Sequence, residues 1–580
     1  MNNIFYRYRL SALIATLAVS LFTSCIDTEV LPADKTIEED FWKTKADVQL
    51  MVVGTYKKLV SQDALTRMML WGSLRGDEFV VNETPTGSVP NALLEVQAAD
   101  IQNTNTFCDW SSLYSVINYC NIVLAKAEGV TRIDPSYTND DYLVDRSQML
   151  AVRALCYFYL VRAYRDVPLC LTGFTESSQE LEIEQSAPLT VLDQCISDLK
   201  EAKESAIAPD GFNDWRRVGY FTQNGILALL ADIYLWRGSM THDKADYAAA
   251  VECCEKVIAS KVAMYPKDEL DEEASEYALI NGDKAFRQIF IDGNSQEAVM
   301  ELQLDGKNNS NNTVCNYFYL YSKSASHGYL LVTPLFSGTG NDKVYSNAKD
   351  YRYWMNTYDV GSTTATYFDV RKMVTQNTST VDPNNAPAAF KRTSETRAYG
   401  EFAQNWMVYR LTDVMLMEAE ARVAMADGDD DIRIRQAFNL VKEVNTRSLA
   451  TKSDSIKFAS YSSVSAMETL VLEERMRELC FEGKRWFDLM RYNYRHITPA
   501  DPSKTLAQLN DEGAEFPRND ETMLNLMARK YETNGNGAGV IAKMRTEPYL
   551  YWPLSASELK VNAKLRQNPV YNTDNVYEKN

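Results

Sequence analysis

Thr469–Arg491 reads TLVLEERMRELCFEGKRWFDLMR. Leu472, Met476, Leu479, Gly483, Trp486 and Met490 recur at steps of four and three residues. That spacing places them on one apolar stripe of an α-helix. Glu474, Arg475, Arg477, Glu478, Glu482, Arg485, Asp488 and Arg491 fill the space beside the stripe. Glu473–Arg477 and Lys484–Asp488 are opposite charges one turn apart, which supports a helix. Glu474, Glu478 and Glu482 are like charges at the same spacing, so their partners must come from elsewhere in the fold. Glycine inside a helix costs about 1 kcal/mol against alanine, and Gly483 therefore predicts that another backbone comes close. The stretch is expected to be a buried helix that staples other helices together. The competing reading is a catalytic carboxylate cluster, but no histidine or nucleophile lies near it in sequence.

The same residues carry a family resemblance. Arg477-Glu478-Leu479, then Phe481-Glu482-Gly483, Arg485-Trp486 and Asp488-Leu489, resemble the C-terminal signature of the SusD/RagB family. Members of that family are surface lipoproteins of Bacteroidota that capture nutrients for a TonB-dependent transporter. Further landmarks are similar: Thr36–Trp42 ahead of a helix, Gly76-Asp77-Glu78 as a turn, the run from Trp110 to Leu124, Asp166-Val167-Pro168-Leu169, and the tail from Tyr551 to Pro569. The resemblance implies a mainly α, SusD-like fold over residues 25–580, with a C-terminal signature over 470–571.

Composition bounds the reading independently. The chain has 580 residues, enough for a large core and more than one subdomain. Its 60 Lys+Arg against 79 Asp+Glu leave a net charge of −19. An acidic surface of that size argues against nucleic acid and against attraction to anionic lipid. The ten cysteines include no C-x-x-C pair, and most sit in apolar helical patterns, as Cys120, Cys156, Cys195 and Cys480 do. Removing Cys25 leaves an odd number, so no disulfide framework is expected, and Cys253 and Cys254 read as a core residue and its neighbour.

The first residues read as a targeting segment. Arg7 and Arg9 precede an apolar run from Leu10 to Phe22, too short for a stable span, and Thr23-Ser24-Cys25 follows. This predicts a lipoprotein signal peptide over 1–24 and acylation at Cys25; a plain secretory signal with a coincidental cysteine is the alternative. Asp27 and Glu29 resemble the signal that sends Bacteroidota lipoproteins to the outer surface, which implies outer-membrane lipid as the anchor.

Helical patterns recur along the chain as pairs: near 45–60 with 110–127, 146–165 with 188–205, 220–238 with 246–260, and 405–425 with 431–447. They resemble tetratricopeptide-like repeats at irregular spacing. Repeats of this kind stack as a scaffold and carry their insertions on one face. The largest insertion runs from about 265 to 405. It holds one short strand pattern, Glu297–Leu304, and an Asn/Tyr-rich stretch from Asp305 to Leu331 that reads as a loop. Thr378–Ala388 reads as another loop.

No H-E-x-x-H, G-x-S-x-G or P-loop occurs, and His242, His327 and His496 are far apart. Asn534–Gly539 is glycine-rich but has no bracketing strand and helix, so it reads as a loop. Asp427–Asp431 fails the EF-hand pattern, with Ile432 and Phe438 where Gly and Glu belong, and reads as an inter-helix turn with Asp as N-cap. No cofactor or metal is expected; some family members bind calcium, and nothing here places such a site. What remains is binding. Aromatic faces on loops suit sugar rings, and planar polar groups suit hydroxyls. Trp71, Tyr317, Tyr319 and Tyr321 meet that test, with Asp77 and Asn82 as polar companions. Trp110, Trp236, Trp406, Trp486 and Trp552 fall in scaffold patterns and are expected in the core. The resemblance implies a lipoprotein, not an enzyme, that passes an oligosaccharide or polysaccharide to a SusC-like TonB-dependent transporter. Peptide capture, as in the RagB branch, and a secreted helical glycoside hydrolase are the alternatives.

Overall fold

The computed structural model describes residues 41–571 apart from 84–85, 176–178, 180–181, 268–274, 307–311, 319–327, 358–369, 377–401 and 532–536. The expected signal segment, Cys25, Tyr319, Tyr321 and the loop 378–388 lie outside the described residues.

Helices dominate. Those of the stack are α1 (Lys45–Leu59), α4 (Ser111–Val130), α5 (Asn139–Tyr164), α6 (Pro188–Glu204), α7 (Gln223–Thr241), α8 (Lys244–Met264), α9 (Leu411–Met425) and α10 (Ile432–Arg447). α2 (Gln62–Ser73) and α3 (Ser88–Gln97) lie between the first two. Packing runs in sequence: α1 on α4, α4 on α5, α5 on α6, and so on to α9 on α10. The four helix pairs read from the sequence are all present, and their stacking buries one continuous core. Local chemistry sets the boundaries. Thr44 and Asp47 form a capping box at α1, and Thr138 and Asp141 do the same at α5. Pro188 opens α6. Asp431 accepts from Arg433 N at the start of α10, which makes Asp427–Asp431 the expected turn. In α5 every residue from Ser147 to Tyr164 is buried, as its unbroken apolar content requires. No helix among the described residues is long and apolar enough to cross a membrane.

Several boundaries differ from the sequence reading. α7 runs past Gly238 and ends at His242, whose φ is +58°. Gly238 is instead the contact point of the α7–α8 pair, since a Cβ there would sit 3.1 Å from Asp246 and from the Tyr247 ring. The pattern at 405–425 begins as a strand. Trp406–Arg410 (β4) pairs antiparallel with Ala298–Leu302 (β2), because its aromatic and β-branched residues find a partner in the expected strand of the insertion. Gly537–Lys543 is helical rather than loop. A second two-stranded sheet joins β1 (Phe79–Val81) to β3 (Leu330–Val332), with Phe79 opposite Val332 and Val81 opposite Leu330.

The largest correction falls on 469–491. This stretch is two helices, α11 (Val464–Leu479) and α12 (Arg485–His496), separated by a break at 480–484. Within the break Phe481 and Gly483 have φ of +69° and +72°, a region that L-residues avoid. The close approach expected of Gly483 is real. A Cβ on Gly483 would lie 2.9 Å from Met68 O, and one on Gly72 would lie 1.9 Å from Gly483 O. The glycine thus serves a turn pressed on the backbone of α2, not a helix interior. α11 packs on α9 and α10, and α12 on α2 and α7, so the pair staples the stack as expected.

Candidate functional site

Two sequence elements that resemble the family, residues 75–78 and the 480–486 break, meet in space. The Arg75 guanidinium lies 5.1 Å from the Trp486 ring and donates to Leu550 O at 2.7 Å. Asp77 takes Arg485 in both carboxylate oxygens, at 2.7 and 3.0 Å. Glu78 Oε1 accepts from Phe481 N at 2.8 Å and so holds the left-handed residue of the break. Burial acts to raise the Asp77 carboxyl, and the Arg485 charge more than offsets it, leaving Asp77 below its ordinary range. Burial dominates at Glu78, where the Arg485 charge acts only weakly, and pushes its carboxyl up to about 8. From this clamp the chain runs directly into β1.

The like-charged acids of α11 and of the break that follows it find the distant partners that their repulsion required. Glu478 receives Arg410 at 2.6 Å, Arg352 at 2.9 Å and Arg447 at 2.5 Å. Glu482 receives Lys372 at 2.8 Å and Arg410 at 2.9 Å, and Glu474 receives Arg352 at 2.7 Å and Arg477 at 2.8 Å. Burial opposes ionisation of Glu478, but the three guanidiniums hold its carboxyl well below the ordinary range. Arg352 and Lys372 belong to the insertion, so this network ties the insertion to the scaffold. The carboxylates that invited a catalytic reading are engaged in structural ion pairs.

The predicted site residues divide sharply. Trp71 is not on a loop. It lies on α2, fully buried, with Nε1 donating to Phe107 O at 3.0 Å and its ring edge-on to Tyr164. The neighbouring Gly72 suggested a loop, but it is a helix contact point. Asp77 borders a cavity of about 110 Å³ with Leu472, Met476 and Tyr492, yet Arg485 occupies both of its oxygens. Tyr317 is buried as well, packed between Phe107 and Tyr329, and burial pushes its phenol up to about 12. Trp71, Asp77 and Tyr317 are therefore buried in packing, hydrogen-bond and ion-pair contacts and are not the exposed loop residues that the sequence suggests. All five tryptophans expected in the core are buried.

Asn82 is the predicted residue that reaches a rim. It is half-buried at the end of β1, where its backbone N donates to Tyr329 O and its Nδ2 to Gly328 O, both at 2.8 Å. Tyr329 is half-buried beside it, with its ring 5.5 Å from Tyr317. α3 supports the rim from the other side, because Gln97 Oε1 accepts from Val81 N at 2.6 Å. The sheet thus offers a planar amide and a phenol ring on a base fixed by the clamp. That arrangement suits hydroxyl-rich ligands. The sequence reading passed over Tyr329 and Trp215. Trp215 lies on a polar loop and satisfies the same aromatic-on-a-loop criterion; it is 47% exposed.

These features define a helical-repeat scaffold with a loop-borne polar rim, a binding architecture. Comparison with known proteins names the class. A family model described as "SusD family" matches residues 311–571, and one described as "Starch-binding associating with outer membrane" matches residues 32–235. The chain is 22% identical over 496 residues to SusD-like protein P38 of Formosa agariphila, covering 82% of this chain and 90% of that protein. SusD-like protein P2 of the same organism is 23% identical over 507 residues, covering 84% and 90%. A solved SusD homolog from Bacteroides thetaiotaomicron superposes with a TM-score of 0.66 at 15% identity, covering 92% of this chain and 98% of that one. The chain belongs to the SusD-like family.

Proposed function

We propose that this protein is an outer-membrane lipoprotein that captures oligosaccharides at the Asn82–Tyr329 rim and passes them, unaltered, to a SusC-like TonB-dependent transporter. One observation carries the reading. β1 falls in the window matched by the starch-binding, outer-membrane-associating model and β3 in the window matched by the SusD model. The rim is where the two windows join into one sheet. Binding residues concentrate on loops positioned by a rigid scaffold, and the 75–78 clamp supplies that rigidity. The half-buried Asn82 amide and Tyr329 ring put a polar edge and a flat face side by side, the two kinds of surface that the hydroxyls and the C–H side of a sugar ring take. Acylation at Cys25 supplies the anchor.

Calorimetry of the mature protein against neutral oligosaccharides and peptides tests capture. Asn82→Ala and Tyr329→Ala are each expected to weaken glycan binding by about 1 kcal/mol, roughly fivefold in Kd. Unchanged affinity in both variants would remove the rim. Binding of peptides alone would turn the reading to peptide capture, and release of shortened glycan would make the protein a hydrolase. For the anchor, Cys25→Ala should move the protein from the membrane fraction to the soluble one. A variant that stays membrane-bound and normally processed refutes the lipid attachment.

A further inference from the structure

A concave surface lies elsewhere in the molecule, and neither Asn82 nor Tyr329 lines it. The loop between α6 and α7 carries Asp210-Gly211-Phe212-Asn213-Asp214-Trp215-Arg216. Trp215 heads a short helical turn, Arg216–Gly219, that packs on β2. The turn places the indole against Gly219. A Cβ at Gly219 would meet Trp215 Cε3 at 2.7 Å and Gln303 Cγ at 2.8 Å. Only glycine lets the indole and the Gln303 side chain converge on the same point. The Tyr220 ring stands 5.8 Å from the indole at 64°, and Tyr56 backs Tyr220 at 4.9 Å. The Gln303 amide is fixed in its plane: Nε2 donates to Asn294 Oδ1 at 2.8 Å and to Glu301 O at 3.1 Å, and Oε1 accepts from Asn405 Nδ2 at 3.2 Å, which leaves one lone pair of Oε1. Val53 and Lys57 of α1 form the facing wall of a cleft of about 150 Å³.

We propose that this cleft is a second saccharide-binding subsite, which takes a neutral pyranose ring. The indole face would receive the C–H side of the ring, and the remaining lone pair of Gln303 Oε1, with Lys57, would meet its hydroxyls. Three observations favour this occupant. An indole 47% exposed in water loses burial that a flat apolar ligand face restores. An amide held in plane by two asparagines and the Glu301 carbonyl presents its oxygen, pre-organised, as a directional acceptor. Lys57 is the one charged residue among those lining the cleft, and Asp214 is already paired with Arg216 at 2.8 Å, so a polyanionic ligand finds no cluster of cations. Val53 is 51% exposed and Leu50, one turn back on α1, is 62% exposed. A protein partner seated on that apolar face is the rival occupant, but it would not need the oriented amide. The proposal extends the glycan-capture reading to a different surface.

The test uses the mature protein with maltohexaose, cellohexaose, laminarihexaose and mannohexaose, comparing wild type with Trp215→Ala, Trp215→Phe, Gln303→Ala and Asn82→Ala. Calorimetry should show at least fivefold weaker binding of one of these sugars in Trp215→Ala, an intermediate loss in Trp215→Phe, and an unchanged melting temperature, since the indole is at the surface. Bound sugar should also shield wild-type tryptophan fluorescence from acrylamide, and that shielding should vanish in Trp215→Phe. Undiminished affinity in the Trp215 and Gln303 variants, alongside a loss in Asn82→Ala, overturns the cleft and leaves the rim standing. Binding of none of the four sugars by wild type overturns both. Undiminished sugar affinity together with loss of Trp215→Ala from a detergent-solubilised membrane complex would reassign the surface to a protein partner and so refute the saccharide subsite.

Discussion

The α11–α12 region and the Asn82–Tyr329 rim use polar residues in opposite ways. Around α11 and α12, ionised side chains are buried and joined in networks. A second such cluster links Glu420 and Asp488 to Arg491 and Asp413 to Arg475 and Lys484, all at 3.0 Å or less. At the rim, neutral groups stand half in water on a sheet of two short strands. The contrast separates residues that hold the molecule together from residues left accessible to a ligand. Charged and aromatic residues in a family signature belong to the first kind here, although their chemistry alone suits either. Breaking a buried ion network should cost stability, and altering the rim should cost affinity.

Glu478→Ala is the strongest challenge to this division. It removes the carboxylate that Arg352, Arg410 and Arg447 share and leaves them with Glu474, Glu482 and Glu297 respectively. Removing one partner of a buried pair costs about 3–5 kcal/mol, because the remaining charge stays desolvated. Chemical denaturation should show a loss of that size. A loss under about 1 kcal/mol would mean that the network is as weak as a surface ion pair, and the contrast with the rim would fail.

Glu78 sharpens the comparison through pH. Its carboxyl ordinarily titrates at 4.5 and is held at about 8 in the folded chain by burial. The native state therefore keeps a proton that the unfolded chain releases above pH about 4.5. The contribution of this group is full below that pH and is lost as pH rises through about 8, with a slope of at most about 1.4 kcal/mol per pH unit. Glu78→Gln should remove this slope. The stability difference between Glu78→Gln and wild type should shift in favour of the variant by about 2–3 kcal/mol from pH 5 to pH 7. Parallel stability curves for the two proteins would show that Glu78 is ionised in the clamp.

Much of the scaffold was legible because periodicity and capping are local. The pairing of helices, the strand at 298–302, the Asp431 cap and the need of Glu474, Glu478 and Glu482 for remote partners all followed from spacing and charge. The break at 480–484 was not legible, because Leu479, Gly483 and Trp486 keep helical spacing across it. Only the contact with α2 and the Glu78–Phe481 hydrogen bond select a turn there. The site was less legible still. Trp71 and Asp77 have the right chemistry for a ligand, but their burial comes from residues far away in sequence, Phe107 and Arg485. The sequence marks Asn82 only as a polar companion to the loop aromatics. Tyr329 and Trp215 meet the aromatic-on-a-loop criterion, but nothing local ranks one loop aromatic above another.

The smallest effect tests the element from which the fold was read. Gly483 has φ of +72°, which costs an L-residue about 1–2 kcal/mol. Its added Cβ would lie 2.9 Å from Met68 O, a backbone atom of a buried helix that can shift little. Gly483→Ala should therefore destabilise by about 1–3 kcal/mol, near the lower figure if α2 yields by a few tenths of an ångström. Gly513, also at φ +72° but with open space around its Cβ position, supplies the control. Gly513→Ala carries the conformational cost without the clash, so thermal unfolding should show a larger loss for Gly483→Ala. Equal losses would mean that backbone conformation accounts for Gly483 and that contact with α2 adds nothing. A Gly483→Ala protein as stable as wild type would show that the break can return to helix, restoring the single continuous stripe.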